Sequence, residues 1–129
     1  MTLYIDASAA AKLLVTEAES VALVDYLDHA REEHDLVACT LLETELRRLA
    51  VRLDLAQSDV TRLLSRVDLV DPPRSLFHEA GLLPGRQLRS LDALHLALAL
   101  RVEAERLVAY DVRLLEAAAL HGLNVASPR

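Results

Sequence analysis

Leu3-Tyr4-Ile5-Asp6-Ala7-Ser8-Ala9 is the stretch on which the fold turns. Three apolar residues with the character of a buried strand run straight into an acid, and a helical pattern begins near Ser8. The same order returns late in the chain, where Leu107 to Tyr110 lead into Asp111 and a helix beginning near Val112. Working outward, Leu36 to Cys39, Val67 to Val70 and Leu123 to Ala126 also read as strands. Further helices are expected to begin near Glu19, Thr40, Ser58, Pro73 and Ser90, several with a Ser or Thr placed to cap orphan backbone donors. Gly81 and Gly122 fit C-terminal caps. Parallel neighbours need crossovers of about a dozen residues or more, so short apolar strands separated by helices predict an α/β sandwich with a mainly parallel sheet.

The 129 residues suit a single domain spanning 1–129, with 53% hydrophobic residues to supply its core. That composition excludes a disordered chain. The apolar runs, such as Leu96 to Leu100, fall far short of the roughly 20 residues of a membrane span. Nothing resembles a secretory signal, so a cytoplasmic location is expected. Cys39 is the only cysteine, which rules out an intrachain disulfide and suits a small buried hydrophobe. The net charge of −6 weighs against a general nucleic-acid binder. If several carboxylates gather on divalent cations, much of that charge is local, which leaves the 14 basic residues, all but Lys12 arginine, to face phosphates.

Asp6 and Asp111 should emerge at the carboxyl ends of strands, where open α/β sheets build their sites. Asp92, in Arg89-Ser90-Leu91-Asp92-Ala93, falls in the first turn of an apolar helix, where the backbone amides tolerate a carboxylate. Each position taken alone also suits an ordinary turn or cap residue. Glu43 and Glu45 compete for one role, since two positions along a helix are rotated about 200° apart. Thr40-Leu41-Leu42-Glu43 matches a capping box, whereas Glu45 lies beside the apolar stripe of Leu42, Leu46, Leu49 and Leu53. Glu45 is therefore the candidate ligand. Arg47, Arg48 and Arg52 read most simply as solvated charges and otherwise as phosphate contacts.

Crowded carboxylates repel one another and raise each other's pKa unless a cation is present, and hard oxygen ligands suit Mg²⁺ or Mn²⁺. Ions held this way support phosphodiester hydrolysis by water. A zinc site finds no support: His29, His34, His78, His95 and His121 lack paired ligand spacing, and Cys39 has no partner. His95, three residues after Asp92, borders the site at most. A histidine packed on a helix is the simpler reading.

Leu3 to Ala9, Thr44-Glu45-Leu46, Arg89 to Ala97 and Ala109 to Leu114 together resemble the ordered motifs of PIN-domain nucleases, closest to VapC-type toxins. The resemblance covers essentially the whole chain, including Gly122-Leu123-Asn124-Val125. It implies a PIN-like three-layer sandwich with a sheet of about five strands, and Mg²⁺- or Mn²⁺-dependent endoribonuclease activity. It also implies a toxin role in a type II toxin-antitoxin system, an RNA substrate, a VapB-like antitoxin and a homodimer. Asp6, Glu45, Asp92 and Asp111 carry over as the acidic, metal-binding site. Ser8 matches a small hydroxyl residue that helps hold the site, and it also suits a helix N-cap, two roles that are compatible. Arg113 matches a frequent Arg after the last acid, as a substrate or carboxylate-orienting group or simply a surface residue. Ala7 stands where Thr is frequent.

Two other classes fit less well. A phosphatase with Asp6 as nucleophile would want a second Asp two residues on, where this chain has Ser8. A receiver-like signalling module would want an acidic pair beside the first strand and a lysine after a late strand, and the only lysine is Lys12.

Overall fold

The computed structural model describes residues 1–129. Its elements run β1 (Thr2–Ile5), α1 (Ala7–Leu14), α2 (Ser20–Ala30), β2 (Asp35–Cys39), α3 (Leu41–Leu53), α4 (Gln57–Leu64), β3 (Asp68–Val70), α5 (Arg74–Leu82), α6 (Ser90–Arg101), β4 (Arg106–Val108), α7 (Val112–Leu120) and β5 (Val125–Ala126). All five expected strands and all seven helices are present.

The first strand made is the middle one. The sheet order is β3-β2-β1-β4-β5 and every pairing is parallel. Tyr4 lies opposite Val37 on one side and Leu107 on the other. Because β1 is covered on both faces, Leu3, Tyr4 and Ile5 are all buried and read as a continuous apolar run. Alternation along the strands then sorts the core into two. Tyr4, Val37, Cys39, Leu107 and Ala109 pack beneath α5, α6 and α7. Leu3, Ile5, Leu36, Ala38 and Val108 face α1, α2, α3 and α4. The result is a three-layer α/β sandwich.

Helix α6 is buried from Ala93 through Ala99. A helix that is apolar on all sides needs cover on all sides. No helix is long and apolar enough to cross a membrane. From β1 the chain proceeds outward to β2 and β3, then returns through α5 and α6 to lay β4 against the opposite edge of β1. This reversal is the point at which such sheets open a crevice beyond their carboxyl ends, and Asp6 and Asp111 stand there. The Asp6 amide donates to the Val108 carbonyl at 3.3 Å, which ties the two strand ends together.

Helix ends differ from the sequence expectation. Ser8 does not cap α1, because the helix starts one residue earlier and Asp6 takes the cap position. The capping box at Thr40 does not form. The Thr40 amide is already used by the Val70 carbonyl of β3 at 3.1 Å, and Glu43 turns outward to Arg47 Nε at 2.7 Å. No side-chain cap is made at the starts of α4 or α6 near Ser58 and Ser90. Gly81 lies inside α5 rather than after it, since the helix runs on to Leu82 and stops where Leu83, preceding Pro84, must be extended. Gly122 does close α7. At φ +77° it donates to Ala119, and Leu123 donates to Ala118, which is the paired bonding of a Schellman motif. That geometry holds Leu123 at the helix end and delays β5 to Val125.

Candidate active site

The two helix starts that do receive a side-chain cap are the ones carrying the strand-end acids. Asp6 has extended backbone and its carboxylate accepts the Ala9 amide at 3.0 Å, while Asp111 caps α7 by accepting the Leu114 amide at 3.0 Å. Each acid is therefore fixed by the helix it begins, and each sits in the favourable field of that helix's N-terminus.

Ser8 joins them. Its hydroxyl donates to the Asp6 carboxylate at 2.8 Å and accepts the amides of Tyr110 at 2.9 Å and Asp111 at 3.3 Å. One donor and two lone pairs are all a serine hydroxyl offers, and all are used. Ser8 thus leaves the cap position to Asp6 and instead ties the Asp6 carboxylate to the start of α7.

Asp6 is 2% exposed. Burial raises its pKa above the ordinary carboxyl range, against the lowering effect of the bonds from Ser8 and Ala9 and of nearby His95. Asp92, half-buried in the first turn of α6, is also raised, first by burial and then by the charges of Asp111 and Glu45. Opposing this are His95 and Arg89. Asp92 thus feels the charges of Asp111 and Glu45, and Asp6 is joined to the start of α7 through Ser8. No lysine or arginine forms an ion pair with any of the four.

Glu45 and Glu43 separate as helix rotation requires. Glu45 points inward and accepts from His95 Nε2 at 2.6 Å, while Glu43 pairs with Arg47 on the outside of α3. His95 is 1% exposed, and its Nδ1 lies 2.7 Å from the Tyr4 hydroxyl, which also accepts the Cys39 amide at 3.1 Å. It is thus both packed and bonded to a site residue. Tyr4 and His95 are the members that sequence reasoning did not assign. Their signals were the i, i+3 spacing from Asp92 to His95 and a polar hydroxyl inside an apolar strand, which must find a partner when buried. Cys39 is buried, and burial raises its thiol pKa, as befits a packing residue. Arg113 is exposed on α7 and makes no hydrogen bond or ion pair, so it is not drawn into the acidic group.

No three acidic, histidine or cysteine side chains are preassembled as a closed metal cage. Three of the four acids have a protein donor, Asp6 from Ser8 and Ala9, Glu45 from His95 and Asp111 from Leu114, while the Asp92 side chain makes no hydrogen bond. The donor set nonetheless fits a hard divalent cation, being all carboxylate, without a lysine or arginine ion pair, and costly to ionise at Asp6 and Asp92 without one. Beside Glu45 opens a groove of about 540 Å³ lined by Ala7, Ala11, Leu41, Leu49, Leu91 and Arg52.

The PIN domain family model matches residues 3–120. Ribonuclease VapC46 of Mycobacterium tuberculosis is 39% identical, with 98% of this chain and 97% of that protein covered. Among solved structures, VapBC2 from Rickettsia felis bound to a DNA fragment from their promoter aligns with a TM-score of 0.76 at 14% identity, over 100% of both chains. A toxin-antitoxin complex from Klebsiella pneumoniae aligns with a TM-score of 0.73 at 17% identity, over 98% of both. The two structures bear on the fold, and the family match and the sequence relative bear on descent: the protein belongs to the PIN-domain family and, within it, to the VapC ribonucleases.

Proposed function

We propose that this chain is a divalent-metal-dependent endoribonuclease that acts as the toxin of a type II toxin-antitoxin pair, with Asp6, Glu45, Asp92 and Asp111 as its metal-binding site. What supports this reading is the tie of Asp6 to Asp111 through Ser8 at the sheet's switch point, the charges of Asp111 and Glu45 near Asp92, and the lack of a lysine or arginine ion pair to any of the four. Such a group acquires a purpose when a cation occupies it. Mg²⁺ and Mn²⁺ are the ions its oxygen donors suit, and either supplies water activation and charge stabilisation for phosphodiester cleavage. The chain's own contribution is placement. Ser8 fixes Asp6 against the β4 end, Leu114 fixes Asp111, and His95 fixes Glu45, so the carboxylates are held before any ion or RNA arrives.

The proposed partner is a VapB-like antitoxin. The groove beside Glu45 has apolar walls from α1 and α3 and a guanidinium at Arg52, which suits a short amphipathic segment laid close to the acids. Similarity of fold to a toxin-antitoxin complex agrees with this reading.

The test is cleavage of defined single-stranded and loop-bearing RNAs by purified protein, with Mg²⁺, Mn²⁺ or EDTA, and with sequencing of the new ends. Internal cleavage that requires the metal and disappears in Asp6→Asn and Asp92→Asn is expected. Cleavage that persists in EDTA, or in Asp6→Asn, would refute the assignment.

A further inference from the structure

We infer that Tyr4 and His95 are positioning residues that hold the Glu45 carboxylate in place and fix His95 as the Nε2–H tautomer. The inference rests on the reading of Glu45 as a metal ligand.

The bonding permits one arrangement of hydrogens. The Cys39 amide can only donate, so the Tyr4 oxygen accepts it at 3.1 Å. Tyr4 is fully buried, and the one remaining acceptor within reach of its hydroxyl hydrogen is His95 Nδ1 at 2.7 Å. With Nδ1 accepting, the ring hydrogen must sit on Nε2, which donates to Glu45 Oε1 at 2.6 Å. Reversing the Tyr4–His95 bond would leave a buried hydroxyl hydrogen without an acceptor, and no buried side-chain polar atom in this protein lacks a partner. The ring is further held edge-on against Tyr4, with centroids 5.8 Å apart and planes at 71°.

Glu45 needs this support. It sits on α3, in the layer opposite α6, and otherwise has a long side chain with freedom to turn toward solvent. A rigid, buried donor anchored on the central strand removes that freedom. Partners that orient a metal-binding carboxylate are commonly worth about 10–100-fold in metal affinity or activity.

The experiment has two readouts. Long-range ¹H–¹⁵N correlation of the metal-free protein should show Nε2 protonated and Nδ1 bare at His95 in the wild type, and a shifted Nδ1 resonance in Tyr4→Phe, where its hydrogen bond is lost. Mn²⁺ binding and RNA cleavage are then measured for His95→Ala, His95→Gln, Tyr4→Phe and Glu45→Gln. His95→Ala should lose about 10–100-fold in Mn²⁺ affinity and in kcat with KM for RNA little changed. His95→Gln, whose amide can still donate to Glu45, should recover most of both. If His95→Ala does not fold, Tyr4→Phe carries the test with a several-fold loss. A protonated Nδ1 in the wild type overturns the inference. So does a folded His95→Ala, or in its absence a Tyr4→Phe, with wild-type Mn²⁺ affinity while Glu45→Gln has lost it; the reading of Glu45 then stands. Wild-type Mn²⁺ affinity in Glu45→Gln instead brings down that reading and, with it, the inference.

Discussion

Ser8 and Tyr110 are 102 residues apart in the chain and are joined by a hydrogen bond of 2.9 Å from the Tyr110 amide to the Ser8 hydroxyl. The same oxygen faces Asp6 and the Asp111 amide, so one small side chain ties together the first and last acids of the proposed site.

Ser8→Ala is therefore expected to cost about 1–3 kcal/mol of stability, because it strands part-buried amides whose partner is gone. Nuclease activity should fall further than stability explains, since both acids lose their common anchor. Urea denaturation and single-turnover cleavage together check this. Wild-type kcat in a measurably destabilised Ser8→Ala would reduce the serine to a folding role.

Asp6→Asn should fold, lose most cleavage and gain stability without metal. Burial holds the Asp6 carboxyl above its ordinary value, so the folded protein binds that proton more tightly than the unfolded chain does. Its contribution is fully favourable below the unfolded carboxyl value and declines as pH climbs through the raised folded value. Thermal melts in EDTA across acid to neutral pH should show a shallower decline for Asp6→Asn than for wild type. Equal slopes would mean that Asp6 is not the group responsible.

Glu45→Gln and Glu43→Gln form a matched pair on one helix. The first should abolish cleavage. The second breaks a surface i, i+4 pair with Arg47 and should cost about 0.5 kcal/mol or less, with activity retained. The opposite pattern would show that α3 presents the other face to RNA.

Control by the antitoxin should compete with metal if an Arg or similar cation of that partner enters among Asp6, Glu45, Asp92 and Asp111. Affinity is then expected to fall as Mg²⁺ rises, and to fall in Asp92→Asn while apolar contacts along the groove persist. Calorimetry at several Mg²⁺ concentrations checks this, and affinity indifferent to both changes excludes cation insertion.

The strand-end acids were legible because β1 and β4 are buried on both faces, which leaves an uninterrupted apolar run with the acid marking its end. Glu45 was separable from Glu43 because the 3.6-residue period sends them to different faces. Capping was not legible in the same way. Thr40 looks like a cap until the Val70 carbonyl of another strand claims its amide, and Ser8 looks local until Tyr110 arrives from the far end. The Tyr4–His95–Glu45 chain links three elements through side-chain atoms alone, and periodicity carries no information about which buried polar groups meet.

The central place of β1 has a consequence for synthesis. The ribosome makes the middle of the sheet first and its neighbour β4 almost last, so a growing chain can carry Asp6, Glu45 and Asp92 while the Ser8 hydroxyl still has no Tyr110 to meet. If these acids act together as proposed, the site cannot be completed until β4 and the start of α7 have been made. On that reading, products of premature termination before Asp111 lack one of the four acids and are expected to be inert.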